Sequence, residues 1–178
     1  AIISIGVDVS SLQIDYASRT YGAQTRSFMR VESGAPLQLP GASFDVVTMI
    51  EVMEHIPHET TLLLLREAYR LLRPGGRLIV TTPNYGSAWP VLEWLVDRLT
   101  RVCYEEQHIT HFRKRELFQI IERAGFRNAS VRAFQGLAPF MAVFAWDFAD
   151  RWSAFERWIG VGNAGFLLLG EGVKSDEC

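Results

Sequence analysis

Glu51, Glu54 and His55 stand in the order Glu-x-x-Glu-His directly after the apolar run Phe44–Ile50, and a second polar group, Gln107-His108-Ile109-Thr110-His111-Phe112, follows in the later half of the chain. Such residues can move protons. A neutral imidazole such as that of His55 can take the proton from an acceptor hydroxyl. Glu54 also reads more simply, as an acid favoured by the dipole of a helix that starts beside it. A third acid, Asp8, ends the short apolar run over residues 2–7, and a carboxylate there can accept two hydrogen bonds at once. Asn84 follows Pro83 at the end of another apolar run, where it reads as a turn residue or as a hydrogen-bond partner for a ligand.

All of these polar groups follow apolar runs, and in open α/β sheets ligands bind outside the carboxyl ends of the strands. Residues 2–8 read as a strand, Val9-Ser10-Ser11 offers a helix cap, and a helix follows to about residue 19. A strand is expected over 26–31, then a loop rich in Gly and Pro over 33–42. Phe44–Ile50 is a continuous run with the look of a strand buried on both faces. Leu62, Leu65, Ala68, Tyr69 and Leu72 recur at helical spacing over 59–72, and Pro74-Gly75 is expected to stop that helix. A strand over 77–82, helices over 89–102 and 115–124, a strand over 126–134 and a last strand over 165–170 complete the order. Strands alternating with helices predict a doubly wound, mainly parallel sheet.

With 178 residues, 48% of them hydrophobic, the chain is expected to form one domain with a real core. A formal charge of -2 gives no electrostatic basis for a nucleic-acid groove, and the cluster Arg113-Lys114-Arg115 reads as a solvated helix start. Cys103 and Cys178 are too far apart in sequence for a metal-binding pair, and so few cysteines fit a reducing cytoplasm. No stretch approaches the roughly 20 apolar residues of a membrane helix. Residues 137–162 are apolar and aromatic but carry Asp147, Asp150, Arg151, Glu156 and Arg157, which predicts an amphipathic helix on the surface or over the active site.

The phrase FDVVTMIEVMEHIP followed by LLREAYRLLRPGGRLIVTTPN resembles the class I S-adenosylmethionine-dependent methyltransferases, in particular the small-molecule type that includes ubiquinone-biosynthesis O-methyltransferases. The resemblance runs from Gly6 to about Gly125. It implies a Rossmann-like sheet with an antiparallel last strand at residues 166–170, and it matches residues 1–8 to the family's second strand. The first strand and its glycine-rich loop are then missing from this chain, which on that reading binds the methyl donor weakly or not at all. The resemblance assigns Asp8 to the ribose hydroxyls and places Ile50 and Glu51 along the methionine end of the donor. At the end of the third strand, where the family contacts adenine, the chain reads Val31-Glu32-Ser33-Gly34 without the usual acid-alanine pair. A metal-dependent subset of the family, which includes small-RNA 2′-O-methyltransferases, holds a divalent ion with two Glu and two His. Glu51, Glu54, His55 and His108 are the matching residues, with His111 in reserve. Such a set suits Mg²⁺, Mn²⁺ or an Fe²⁺-like ion, which would lower the pKa of an acceptor hydroxyl.

Methyl transfer from a sulfonium needs little beyond positioning and desolvation. The expected activity is therefore methylation of a small molecule, at a hydroxyl oxygen, with His55 as base or ligand. Tyr85, Trp89, Tyr104 and Phe112 could shape an apolar acceptor pocket, although most aromatics in such a chain belong to the core. An inactive scaffold module on the same fold is the alternative. A nicotinamide-dependent dehydrogenase is disfavoured, because no Tyr-x-x-x-Lys appears.

Overall fold

A computed structural model of the chain describes residues 2–99, 107–136, 138, 145–160 and 164–176. Cys103, Tyr104, Cys178, the end of the helix expected over 89–102 and parts of the segment 137–162 lie outside the described residues. The chain divides into two compact units, Ala1–Leu39 and Pro40–Cys178.

In the first unit, β1 (Ser4–Asp8) and β2 (Arg26–Arg30) pair in parallel, with α1 (Ser11–Tyr21) between them in sequence. Ser10 starts that helix: its backbone is extended and its Oγ accepts from the Gln13 N–H at 3.3 Å. This satisfies one of the donors that every helix leaves open at its first turn. Asp8 Oδ1 accepts from the Ser10 N–H at 2.7 Å and fixes the bend from strand to helix.

In the second unit, β3 (Phe44–Ile50) leads through a 3₁₀ turn, Met53–His55, into α2 (His58–Leu71) and β4 (Leu72–Pro83). Then come α3 (Trp89–Leu99), α4 (Lys114–Arg123), β5 (Arg127–Phe134), α5 (Trp146–Ile159) and β6 (Leu167–Val173). The strand order is β3-β4-β6-β5. β3 and β4 are parallel, and β6 is antiparallel to both β4 and β5. Hence β3, β4 and β5 run one way and the last strand is inserted against them, as the family resemblance implies.

The core forms where helix periodicity meets this sheet. Leu65 and Ala68 of α2 and Leu117, Ile120 and Ile121 of α4 share one buried cluster with Leu78 and Val80 of β4 and Leu168 of β6. Each fully buried aliphatic side chain of this size stabilises the fold by about 1.5–3 kcal/mol. Arg113, Lys114 and Arg115 are exposed at the start of α4, where the Glu116 carboxylate accepts from the Arg113 backbone N–H at 2.8 Å. Among the described residues no helix is long and apolar enough to cross a membrane.

Three elements depart from the sequence reading. Arg73-Pro74-Gly75-Gly76 does not separate helix from strand; β4 begins at Leu72, directly after α2. Phe44 pairs with Leu72 and Val46 with Arg77, so the four residues bulge from the ladder, and Gly75 supplies the φ of 73° that the bulge requires. β6 continues past Gly170 to Val173, since Gly170 and Gly172 are not a turn but places where a neighbour comes close. A Cβ on Gly170 would stand 2.7 Å from Ile121 and 2.8 Å from Val80. Finally, β3 is not buried on both faces: it is an edge strand among the described residues, and Val46 and Ile50 are 45% and 54% exposed.

Gly165, just before β6, offers a test of this packing. A Cβ there would lie 2.4 Å from the Phe134 carbonyl oxygen, which is backbone and cannot swing aside. Gly165→Ala is expected to lose about 1–3 kcal/mol of stability in urea unfolding; an unchanged midpoint would contradict the close approach.

Candidate functional site

Three segments that are far apart in sequence meet at the carboxyl ends of β3 and β4. β3 stops at Ile50, and Glu51 takes a φ of 50°, in the left-handed region. For a residue with a side chain this costs about 1–3 kcal/mol and persists only where the surroundings impose it. Thr81 of β4 does so: its Oγ1 donates to Glu51 Oε1 at 2.6 Å, and its carbonyl accepts from the Glu51 N–H at 3.2 Å.

The 3₁₀ turn then buries Glu54, which is 1% exposed. Its Oε2 accepts from Thr82 Oγ1 at 3.1 Å. Loss of solvent pushes the Glu54 carboxyl up to about 7; the negative charge of Glu51 adds to this, while its own backbone N–H, Thr82 and His55 oppose it. The Glu54 carbonyl meanwhile accepts from the N–H groups of Ile109 at 2.7 Å and Thr110 at 3.0 Å. Thr110 Oγ1 donates to the Ile56 carbonyl at 2.6 Å, and His55 Nδ1 donates to the Gln107 carbonyl at 3.0 Å. These four bonds staple the loop after α3 onto the turn after β3.

The staple delivers His108. Its ring centroid is 5.2 Å from that of His55, and one ligand atom from each of Glu54, His55 and His108 lies within 4.8 Å of the others. His55 Nε2 is 3.8 Å from Glu54 Oε1. Behind His108, whose side chain is buried, Nδ1 is 2.5 Å from Glu93 Oε1 and 2.9 Å from the Tyr85 hydroxyl. That hydroxyl donates to the Glu93 carboxylate, 2.9 Å from each oxygen. Burial and the Glu93 charge push the Tyr85 phenol well above its ordinary value, so it stays protonated.

Of the residues singled out in the sequence, Glu54, His55 and His108 are thus brought together. Glu51 lies outside that set, with its carboxylate bound by Thr81. His111 is outside it too: Nε2 donates to the His108 carbonyl at 3.1 Å, and the ring stacks on Tyr85 at 4.0 Å. Phe112 is fully buried in the core rather than lining a pocket. Asn84 is a turn residue, donating to the Gly165 carbonyl at 2.8 Å and accepting from the Gly86 N–H at 3.0 Å. In the first unit, Asp8 borders a cavity of about 340 Å³ that Tyr16, Tyr21 and Phe28 also line, and its Oδ2 accepts no bond among the described residues. Glu93, Thr81 and Thr82 complete the site but are not among the residues that the sequence singles out. Glu93 carried a signal, being an acid set among Val91, Leu92, Trp94 and Leu95.

The burial of Glu54 has a sign that can be measured. Its folded value of about 7 lies above the ordinary 4.5, so the contribution of the neutral carboxyl to stability is complete below about pH 4.5 and is lost as pH rises through about 7. At about 1.4 kcal/mol per unit, metal-free protein should lose on the order of 2 kcal/mol more between pH 5 and 8 than Glu54→Gln does. Parallel pH profiles for the two proteins would contradict this.

The sequence matches the family described as methyltransferase domain over residues 4–131. It is 30% identical over 122 residues to a protein of Mycolicibacterium smegmatis described as a probable S-adenosylmethionine-dependent methyltransferase, covering 68% of this chain and 42% of that one. It is 39% identical over 75 residues to the ubiquinone biosynthesis O-methyltransferase of Xanthomonas oryzae pv. oryzae, covering 42% of this chain and 26% of that one. The chain therefore spans less than half the length of these curated relatives. A SAM-dependent methyltransferase of Thermotoga maritima superposes with a TM-score of 0.67 at 20% identity, over 97% of this chain and 73% of that one, which speaks for the fold. The chain belongs to the methyltransferase domain family and carries the Rossmann-like fold of S-adenosylmethionine-dependent methyltransferases.

Proposed function

We propose that the protein transfers a methyl group from S-adenosylmethionine to a hydroxyl oxygen of a small-molecule acceptor, and that Glu54, His55 and His108 hold a divalent cation against that oxygen. The observation that carries this reading is the meeting of one carboxylate and two imidazoles within 4.8 Å at the strand ends. The donor set fits a cation of the Mg²⁺ or Mn²⁺ kind. His55 donates from Nδ1 to a carbonyl, which leaves the lone pair of its neutral ring on Nε2, the nitrogen beside Glu54. Bound there, a cation would supply Lewis acidity, favouring the ionised form of an acceptor hydroxyl.

The chain's own residues supply the rest. Asp8 is the ribose ligand in this reading; its Oδ2 is available, and aromatic side chains beside it suit an adenosine. Glu51 and Ile50 line the methionine end of the donor, with Glu51 held rigid by Thr81 at a backbone conformation it would not choose alone. Displacement at a sulfonium methyl requires no acid for the leaving group, so alignment and exclusion of water are the main demands on the protein. The resemblance to O-methyltransferases favours a hydroxyl acceptor.

Two experiments test this. Methyl transfer from labelled donor to a panel of hydroxylated metabolites should be lost on chelation and restored by Mn²⁺ or Mg²⁺. Indifference to chelation, with activity abolished in His55→Ala, would return His55 to the role of general base; donor binding without turnover on any acceptor would favour the scaffold alternative. The second concerns Glu51. Glycine accepts a φ of 50° without strain, so Glu51→Gly should keep or raise the melting temperature while weakening donor binding at least about tenfold. Unchanged donor affinity would remove Glu51 from the donor site.

A further inference from the structure

We propose that Glu93 is a positioning residue: it fixes the tautomer of His108 and thereby selects Nε2 as the nitrogen that serves the Glu54–His55 cluster. The inference rests on the cation reading above. A carboxylate has no proton to give, so across the 2.5 Å between Glu93 Oε1 and His108 Nδ1 the imidazole is the donor. The other neighbour of Nδ1 does not change this. The Tyr85 hydroxyl, 2.9 Å from Nδ1, has one proton and stands 2.9 Å from both Glu93 oxygens, so its proton goes to the carboxylate and its oxygen is left to accept. Glu93 Oε1 and the Tyr85 oxygen thus both face Nδ1 of His108 as acceptors. A neutral ring protonated at Nδ1 carries its lone pair on Nε2, and Nε2 alone can then bind a cation or take a proton.

His55 reaches the same state by another route, donating from Nδ1 to the backbone carbonyl of Gln107. Both imidazoles of the cluster are therefore set for Nε2, one by main chain and one by a side chain. The placement of Glu93 fits this role. It is 8% exposed on α3, in a stretch of otherwise apolar residues where an acid without a partner is strongly disfavoured. His108 lies on a loop, whereas Glu93 belongs to a helix, and a rigid element is the better anchor for a group that must be held in one orientation. In metal sites, loss of the partner that orders a ligating imidazole typically lowers metal affinity about 10–100-fold.

The test reads the tautomer directly. In the full chain labelled with ¹⁵N-histidine, free of metal at pH 8, long-range ¹H–¹⁵N correlation should show His108 protonated at Nδ1. In Glu93→Leu the ring should shift to the Nε2-protonated form, and in Glu93→Gln to a mixture, because an amide can either accept from Nδ1 or donate to it. Mn²⁺ affinity, followed by the electron paramagnetic resonance of the free ion, should fall about 10–100-fold in both variants. Loss of stability alone would not move the tautomer, so melting curves separate a loosened helix from a lost orientation. His108 found protonated at Nε2 in the wild-type chain, or a tautomer indifferent to Glu93→Leu, would overturn the proposal. A wild-type chain that binds no Mn²⁺ yet shows the expected tautomer and its shift would support the positioning role of Glu93 and defeat the cation reading.

Discussion

Glu54 is the residue on which the site depends, because its two ends perform different tasks. Its carbonyl takes two backbone N–H groups from the loop at Ile109 and Thr110, and its carboxyl is held in the protein by Thr82. The first arrangement decides where His108 sits; the second puts a carboxylate where water does not stabilise it. A carboxyl raised to about 7 is an expensive group to keep at neutral pH. The cost has an explanation if a cation or an acceptor proton meets that carboxyl in use, since either would stabilise what burial disfavours.

Much of the architecture around this residue was legible in the sequence, for reasons that are physical. α2 and α4 repeat their apolar residues at helical spacing, and Leu65, Leu117 and Ile120 are buried where that spacing puts them. Ser10 caps α1 through its hydroxyl, as residue type predicts. What could not be read locally was set by neighbours in space. Arg73-Pro74-Gly75-Gly76 has the composition of a turn, but it lies as a bulge within β4 because β3 pairs on both sides of it. Gly170 and Gly172 look like breakers, yet they are strand residues whose missing side chains admit Ile121 and Phe126. β3 has the sequence of a strand buried on both faces and the accessibility of an edge.

The site divides in the same manner. Glu54 and His55 are legible as polar residues that follow an apolar run, and His108 joins them through the family resemblance. The resemblance groups Glu51 with them, but its left-handed backbone and the Thr81 hydroxyl set its carboxylate apart. Glu93 is not legible as a site residue in the sequence, because its importance lies in contacts with His108 and Tyr85 that helix periodicity does not reveal. The residues that hold the cluster, Thr82, Thr110 and Glu93, are hydrogen-bonding neighbours rather than candidate reactants. Their arrangement suits methyl transfer, a reaction in which the protein has to orient more than it has to react.

The most direct test of the cation site is a crystal of the protein soaked in Mn²⁺ and measured for anomalous scattering. A single strong peak bonded to the Glu54 carboxylate and to Nε2 of both His55 and His108 is expected. Mn²⁺ bound only elsewhere, or absent from the cluster at saturating concentration, would contradict it.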